Sequence, residues 1–150
     1  MKGSFPLFLV VVIQRICIET KMNLGKDTLD VVGVICVDKK GHVLLVQGNG
    51  GKWSFPKGRR KEKETSYEGA IREGKEEAGI DLAGRPVDIK IALRYGTYYL
   101  YVFHHEGHEI ALNVPETPDE IIQVAWMNLK SIEFQKAEKN ADLRNYISRN

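Results

Sequence analysis

The chain has 150 residues, 43% of them hydrophobic and 28% charged, a length and balance that suit one compact domain with a single core region. Its formal net charge of +2 excludes the strongly basic footprint of a dedicated DNA-binding protein, so an anionic ligand must be held locally. The two cysteines, Cys17 and Cys36, lie in apolar runs without metal or disulfide spacing, which points to buried thiols in a reducing, cytoplasmic setting.

In chain order, Phe5 to Ile13 is an apolar run preceded by Lys2. It is short for a membrane span, Gln14 and Arg15 interrupt it, and no small-residue cleavage site follows. No membrane attachment is expected. Residues 1–24 read either as an extra strand or as an extension ahead of a start at Met22, packing on a sheet edge or on a second copy of the chain. A homodimer is thus one expected partnership, and residues 25–150 form the functional domain. Asp30 to Val37 and His42 to Gln47 are β-branched, apolar runs separated by Asp38-Lys39-Lys40-Gly41, a β-hairpin pattern whose continuous apolar character predicts central strands. Gly48 to Gly51 forms a turn into a short strand at Trp53 to Phe55, which Pro56 ends.

From Thr65 the period becomes helical, with Tyr67, Ala70, Ile71, Gly74 and Ala78 as one buried stripe. Thr65 and Glu68 have capping-box spacing, and Gly79 suits a left-handed terminator. Gly74 in mid-helix predicts close approach of a strand or another backbone, or is simply tolerated. Asp88 to Leu93 and Thr97 to Phe103 predict two strands joined around Tyr95-Gly96, and Ile121 to Met127 predicts another. Leu129 to Ser148 reads as a terminal helix with Ile132, Leu143, Tyr146 and Ile147 turned to the core. Strands mixed with helices in this order predict an α/β protein, a three-layer α/β/α sandwich with mixed β-sheets.

On a helical wheel Glu73, Glu76 and Glu77 share one sector, away from the apolar stripe. At spacings of three and four their charges repel, and a divalent cation would reverse that penalty. Oxygen-only ligands favour Mg2+ or Mn2+, ions that share coordination with substrate phosphates. An acidic cluster taken alone is more often a solvated face, here with Arg72 and Lys75 as neutralisers.

The surrounding residues decide between these readings. Gly58, Glu64 six positions later, Arg72-Glu73, Glu76-Glu77 and Gly79-Ile80 match the Nudix box at every polar and glycine position. The chain is therefore identified as resembling the Nudix hydrolases, and Gly74 is the one departure, at a position where the family usually carries an apolar side chain. The resemblance implies a pyrophosphohydrolase that cleaves a nucleoside diphosphate linked to another moiety. It implies Glu73, Glu76 and Glu77 as catalytic metal ligands, the Gly58 carbonyl as a backbone ligand, and a structural pair in which Arg72 holds Glu64. Metal ions there would neutralise phosphate oxygens and activate a water for attack at phosphorus. A glutamate outside the box assists that water in several members. Glu120 is the first candidate and Glu116 the second, against the alternative that Glu120 is an ordinary loop acid.

Lys57, Arg59, Arg60, Lys61 and Lys63 make a basic loop beside the site, suited to polyphosphate or an RNA backbone. Among the tyrosines at 95, 98, 99 and 101, alternation places Tyr99 and Tyr101 on one strand face, where they are candidates for base stacking as well as for sheet packing. Trp53 and Trp126 read as core residues, and His104, His105 and His108 as a hairpin turn without a metal. Trp53 to Ile132 is also similar to the catalytic domain of the mRNA-decapping enzyme, so capped RNA and dinucleoside polyphosphates are the expected substrates. Diphosphoinositol polyphosphates, nucleotide sugars and a non-catalytic ligand-binding role are the alternatives.

Overall fold

Strand β1 (Val31–Val37) is apolar throughout because both of its faces are covered. Val32, Val34 and Cys36 enter one core, and Ile35 and Val37 enter the other. It pairs with β2 (Val43–Gly48), β4 (Lys57–Arg59) and, in parallel, β6 (Gly96–Val102). The computed structural model describes residues 30–149, so the readings of residues 1–29 lie outside the described residues. The turn from β1 to β2 is held by Asp38, whose buried carboxylate accepts amides of Lys40 and His42 at 2.9 and 2.8 Å, and of Gly107 at 2.7 Å.

Within the hairpin the two strands pair only at Val37 and Val43. Beyond that rung β1 continues against β4 and β6, while β2 continues against β3 (Trp53–Ser54) and β7 (Ile121–Met127). β5 (Ile89–Ala92) closes the far edge on β6. The seven strands form one hydrogen-bonded sheet, parallel at β1–β6 and antiparallel elsewhere. Helix α1 (Ser66–Glu73) covers one face and the helices α2 (Ile132–Lys136) and α3 (Ala141–Ser148) cover the other. This is the expected three-layer α/β/α sandwich.

Two expectations are corrected. The terminal helix is broken, because residues 137–140 turn back to the sheet edge: the Trp53 amide donates to Glu138 and the Asn140 amide donates to Trp53. Asn140 then caps α3 by accepting the Leu143 amide at 2.9 Å. That break turns Ile132 outward, 73% exposed, and brings Phe134 into the core in its place, while Leu143 and Tyr146 are buried as expected. On α1, Tyr67 lies at the rim of the buried stripe, edge-on to Tyr99, with Ser66, Gly69 and Glu73 taking inner positions.

Candidate active site

The segment that carries the glutamates is specified at both ends. Thr65 accepts the Glu68 amide, and the Glu68 side chain accepts the Thr65 amide, which completes the capping box. After Glu73 the helix widens into a π turn (Gly74–Ala78), which Gly79 ends at φ 70°. The wheel drawn with a constant α period misses this turn, of a kind often found at functional sites. Gly74 lies where a strand approaches: an added Cβ would stand 3.1 Å from Val34 Cγ2.

Glu73 and Glu77 are turned toward β4, and Glu76 is held by Arg72. Glu73 is buried, and its carboxylate lies so close over Gly58 that any side chain at 58 would collide with it. Glu77 reaches the same strand, accepting the Lys57 amide at 3.0 Å. Arg72 braces the group: its Nε and Nη2 donate to Glu64 at 2.6 and 3.0 Å, its Nη1 to Glu73 and Glu76 at 3.0 and 3.1 Å, and its Nη2 also to the Arg59 carbonyl. Such a planar fork suits bidentate carboxylate recognition. Its bond to Glu64 holds that carboxyl below the ordinary range and raises the guanidinium. Burial pushes Glu73 upward and Glu77 up to about 7, where the Lys57 amide only partly offsets it.

Glu73, Glu76, Glu77 and the Gly58 carbonyl form an oxygen-only donor set suited to a hard divalent cation. Burial disfavours charge on Glu73 and Glu77, and a nearby cation would offset that cost. Among the described residues no three such side chains yet enclose an ion-sized point. Arg72 draws Glu73 and Glu76 to itself, and Glu77 is tied to Lys57. With these carboxylates engaged, side-chain rotation would be needed for Glu73, Glu76 and Glu77 to close on one ion.

Glu120 approaches from the other half of the sheet. Its side chain is exposed at the start of β7, and its charge contributes to the upward shift of Glu77. Glu116 is also exposed, and its amide donates to the Glu76 carbonyl at 2.7 Å. Lys57 and Arg59 flank Gly58 on β4, and Arg59 is exposed. Arg60 is drawn inward instead, with its amide on Asp30 and Nη1 on the Glu64 carbonyl at 2.8 Å, so it braces the loop. Tyr99 and Tyr101 are 7% and 2% exposed beneath α1, which corrects their reading as stacking surfaces. Trp53 and Trp126 pack in the two cores, and the histidines lie about a turn near Gly107–Glu109.

Three positions escaped the sequence reading. Gly33 leaves room for the Pro56-Lys57 segment paired alongside β1, since a Cβ there would press on Lys57 Cβ and Tyr98 Cε2 at 2.7 and 2.9 Å; an isolated glycine in a strand was the available signal. Asn113 donates its amide to Gly79 at 2.7 Å, and Asn49 bonds the backbone at Asp119 and Glu120. Neither has a sequence signal, because both contacts are long-range.

Residues 27–149 match the family model described as the NUDIX domain. The chain is 30% identical over 117 residues to 8-oxo-dGDP phosphatase NUDT18 of Danio rerio, a match covering 73% of this chain and 35% of that one. It is 31% identical over 126 residues to the m7GpppN-mRNA hydrolase dcap-2 of Caenorhabditis elegans, covering 79% of this chain and 16% of that one. It therefore spans about a third or less of the length of these curated relatives. A solved Ap4A hydrolase from C. elegans, in a binary complex, shares the fold with a TM-score of 0.58 at 22% identity, covering 79% of this chain and 93% of that one. The MutT protein from Methanosarcina mazei Go1 does so with a TM-score of 0.55 at 23% identity, over 81% and 91%.

Proposed function

The chain belongs to the Nudix hydrolase family, and on that footing we propose that it is a Mg2+- or Mn2+-dependent pyrophosphohydrolase. It cleaves a nucleoside diphosphate linked to another moiety, by attack of water at phosphorus. The observation that carries this reading is the placement of Glu73 and Glu77 against the Lys57-Gly58 backbone, with Arg72 tied to Glu64 behind them.

Glu73, Glu76, Glu77 and the Gly58 carbonyl hold the metal, and Arg72 with Glu64 fixes the turn that carries them. When bound, the metal neutralises phosphate oxygens and makes water a better nucleophile at neutral pH. Glu120 takes the proton of the attacking water, a role its exposure and its place opposite Glu77 support. Lys57 and Arg59 orient the phosphate chain, and Arg60 serves the loop and not the substrate. The relatives' names make capped RNA, dinucleoside polyphosphates and oxidised nucleoside diphosphates the substrates to test first. A reducing, cytoplasmic setting is the location proposed, on the cysteine usage of the sequence.

The test is a Mg2+-dependent screen of capped RNA, diadenosine tetraphosphate, 8-oxo-dGDP, nucleotide sugars and diphosphoinositols, with Glu77→Gln run alongside. Wild type is expected to turn over at least one of them and Glu77→Gln to lose about two or more orders of magnitude. Equal behaviour of the two proteins on every substrate overturns the catalytic reading and leaves a ligand-binding module.

A further inference from the structure

The segment 113–120 is a strap between the two halves of the split sheet. One foot stands on the metal-bearing turn, where Asn113 donates its amide to Gly79 and Glu116 donates its amide to Glu76, both at 2.7 Å. The other foot stands on the turn between β2 and β3. There the Asn49 amide donates to the Glu120 carbonyl at 3.1 Å and the Asn49 side-chain amide donates to the Asp119 carbonyl. Between the feet the chain folds into a tight turn, with the amides of Glu120 and Ile121 both on the Thr117 carbonyl at 3.0 and 3.1 Å.

The turn that carries Asn49 is itself fixed. Gly51 donates to the Gly48 carbonyl at 2.9 Å, Gly48 donates to the Lys52 carbonyl at 3.0 Å, and Gln47 Nε2 reaches the Gly51 carbonyl at 3.0 Å. Next to it the β2–β7 register shifts between Gln47 and Gly48, so that Gly48 pairs with Ile121. The ladder is therefore irregular at the point where β7 starts, and strand pairing alone does not fix Glu120. The two hydrogen bonds from Asn49 supply that constraint.

We propose that Asn49 is a positioning residue for Glu120, clasping the backbone at Asp119-Glu120 so that the carboxylate is presented to the glutamates across the gap between the two half-sheets. The inference rests on the reading of Glu120 as the base. It assigns Asn49 a role without contact to substrate or metal. Asparagine suits the place because its side-chain amide is a donor aimed at a carbonyl, and aspartate would offer that carbonyl only another acceptor.

Asn49→Ala, Asn49→Asp, Glu120→Gln and Asn49→Ala/Glu120→Gln separate the possibilities, with diadenosine tetraphosphate and Mg2+ as the assay and hydrogen exchange as a readout independent of turnover. Asn49→Ala is expected to lower kcat about three- to tenfold with KM and Mn2+ affinity unchanged, as the loss of one hydrogen bond implies, and Asn49→Asp to lower it further. In the Glu120→Gln background the Asn49→Ala change should have no further effect. Exchange at residues 119–121 should rise in Asn49→Ala while that at 73–80 stays as in wild type. Unchanged exchange at 119–121, or an Asn49→Ala loss that persists in full beside Glu120→Gln, overturns the proposal. Wild-type turnover by Glu120→Gln overturns instead the reading of Glu120 as base, and the exchange experiment then still reports whether Asn49 holds the strap.

Discussion

Arg72 makes six hydrogen bonds that shape the site, to Glu64, Glu73, Glu76 and the Arg59 carbonyl. Lysine offers a point charge with no fork, so Arg72→Lys should lower Mn2+ affinity and turnover about ten- to a hundredfold while the protein stays folded, as metal titration and circular dichroism would show. Glu77 gives a pH signature. Its folded pKa is raised to about 7 by burial, so without metal the folded state resists its ionisation. That cost is absent below the ordinary carboxyl pKa, grows as pH rises through the interval up to about 7, and is complete above it. In chelator, Glu77→Gln should therefore match wild type near pH 4 and exceed it by about 1–3 kcal/mol at pH 8 in urea unfolding. The advantage should shrink when Mg2+ is added. Gly74 shows how a departure from the family pattern can be local compensation. The space that an apolar side chain would take is filled by Val34, with Ile80 and Leu82 Cδ1 at 3.5 and 3.7 Å from the same point. Gly74→Leu should cost at least about 2 kcal/mol, and Gly74→Leu/Val34→Ala should recover part of it.

Helix α1 was legible because its signals are local: Thr65 and Glu68 announce the cap, Gly79 the stop, and the spacing of Ala70, Gly74 and Ala78 the inner stripe. Thr65→Ala should lower thermal stability by about 1 kcal/mol. The π turn was not legible, since one added residue per turn leaves no mark in a stripe that still ends at Ala78. The carboxylates thus cluster as the sequence indicates, yet Glu73 and Glu77 face β4 and the group is tied to Arg72 and Lys57, which no spacing shows. The terminal helix was misread for a related reason. Residues 129–148 carry enough apolar positions for one helix, but Asn140 is a cap and residues 137–140 find backbone partners at Trp53, a strand more than eighty residues earlier. Tyr99 and Tyr101 were placed on the correct strand face, and burial beneath α1 decided that they pack.

At the scale of the molecule, the two cores lie on opposite faces of the sheet, and the carboxy-terminal helix α3 ties one of them to the β5–β6 turn. Asp142, buried, accepts the Tyr98 hydroxyl and the Tyr95 amide, each at 2.8 Å, and Asn145 accepts the Arg94 amide at 3.0 Å. Asp142→Ala leaves the buried Tyr98 hydroxyl and the part-buried Tyr95 amide without their acceptor and should cost about 1–3 kcal/mol, read by urea unfolding, with no change in Mn2+ affinity. The sandwich architecture could be read from strand and helix order, because each layer follows from local periodicity. The divergence of β1 from β2 beyond the Val37–Val43 rung could not, since pairing partners are chosen across the whole chain. That single rung also makes the strap a ruler. The gap between Glu77 and Glu120 then depends on how many residues lie between Asn113, which is tied to Gly79, and β7. One residue deleted there shortens its reach by at most about 3.5 Å, with neither core disturbed. A Nudix chain could in this way be refitted to a longer or shorter phosphate chain by changing the length of one exposed loop, leaving the glutamates and their helix untouched.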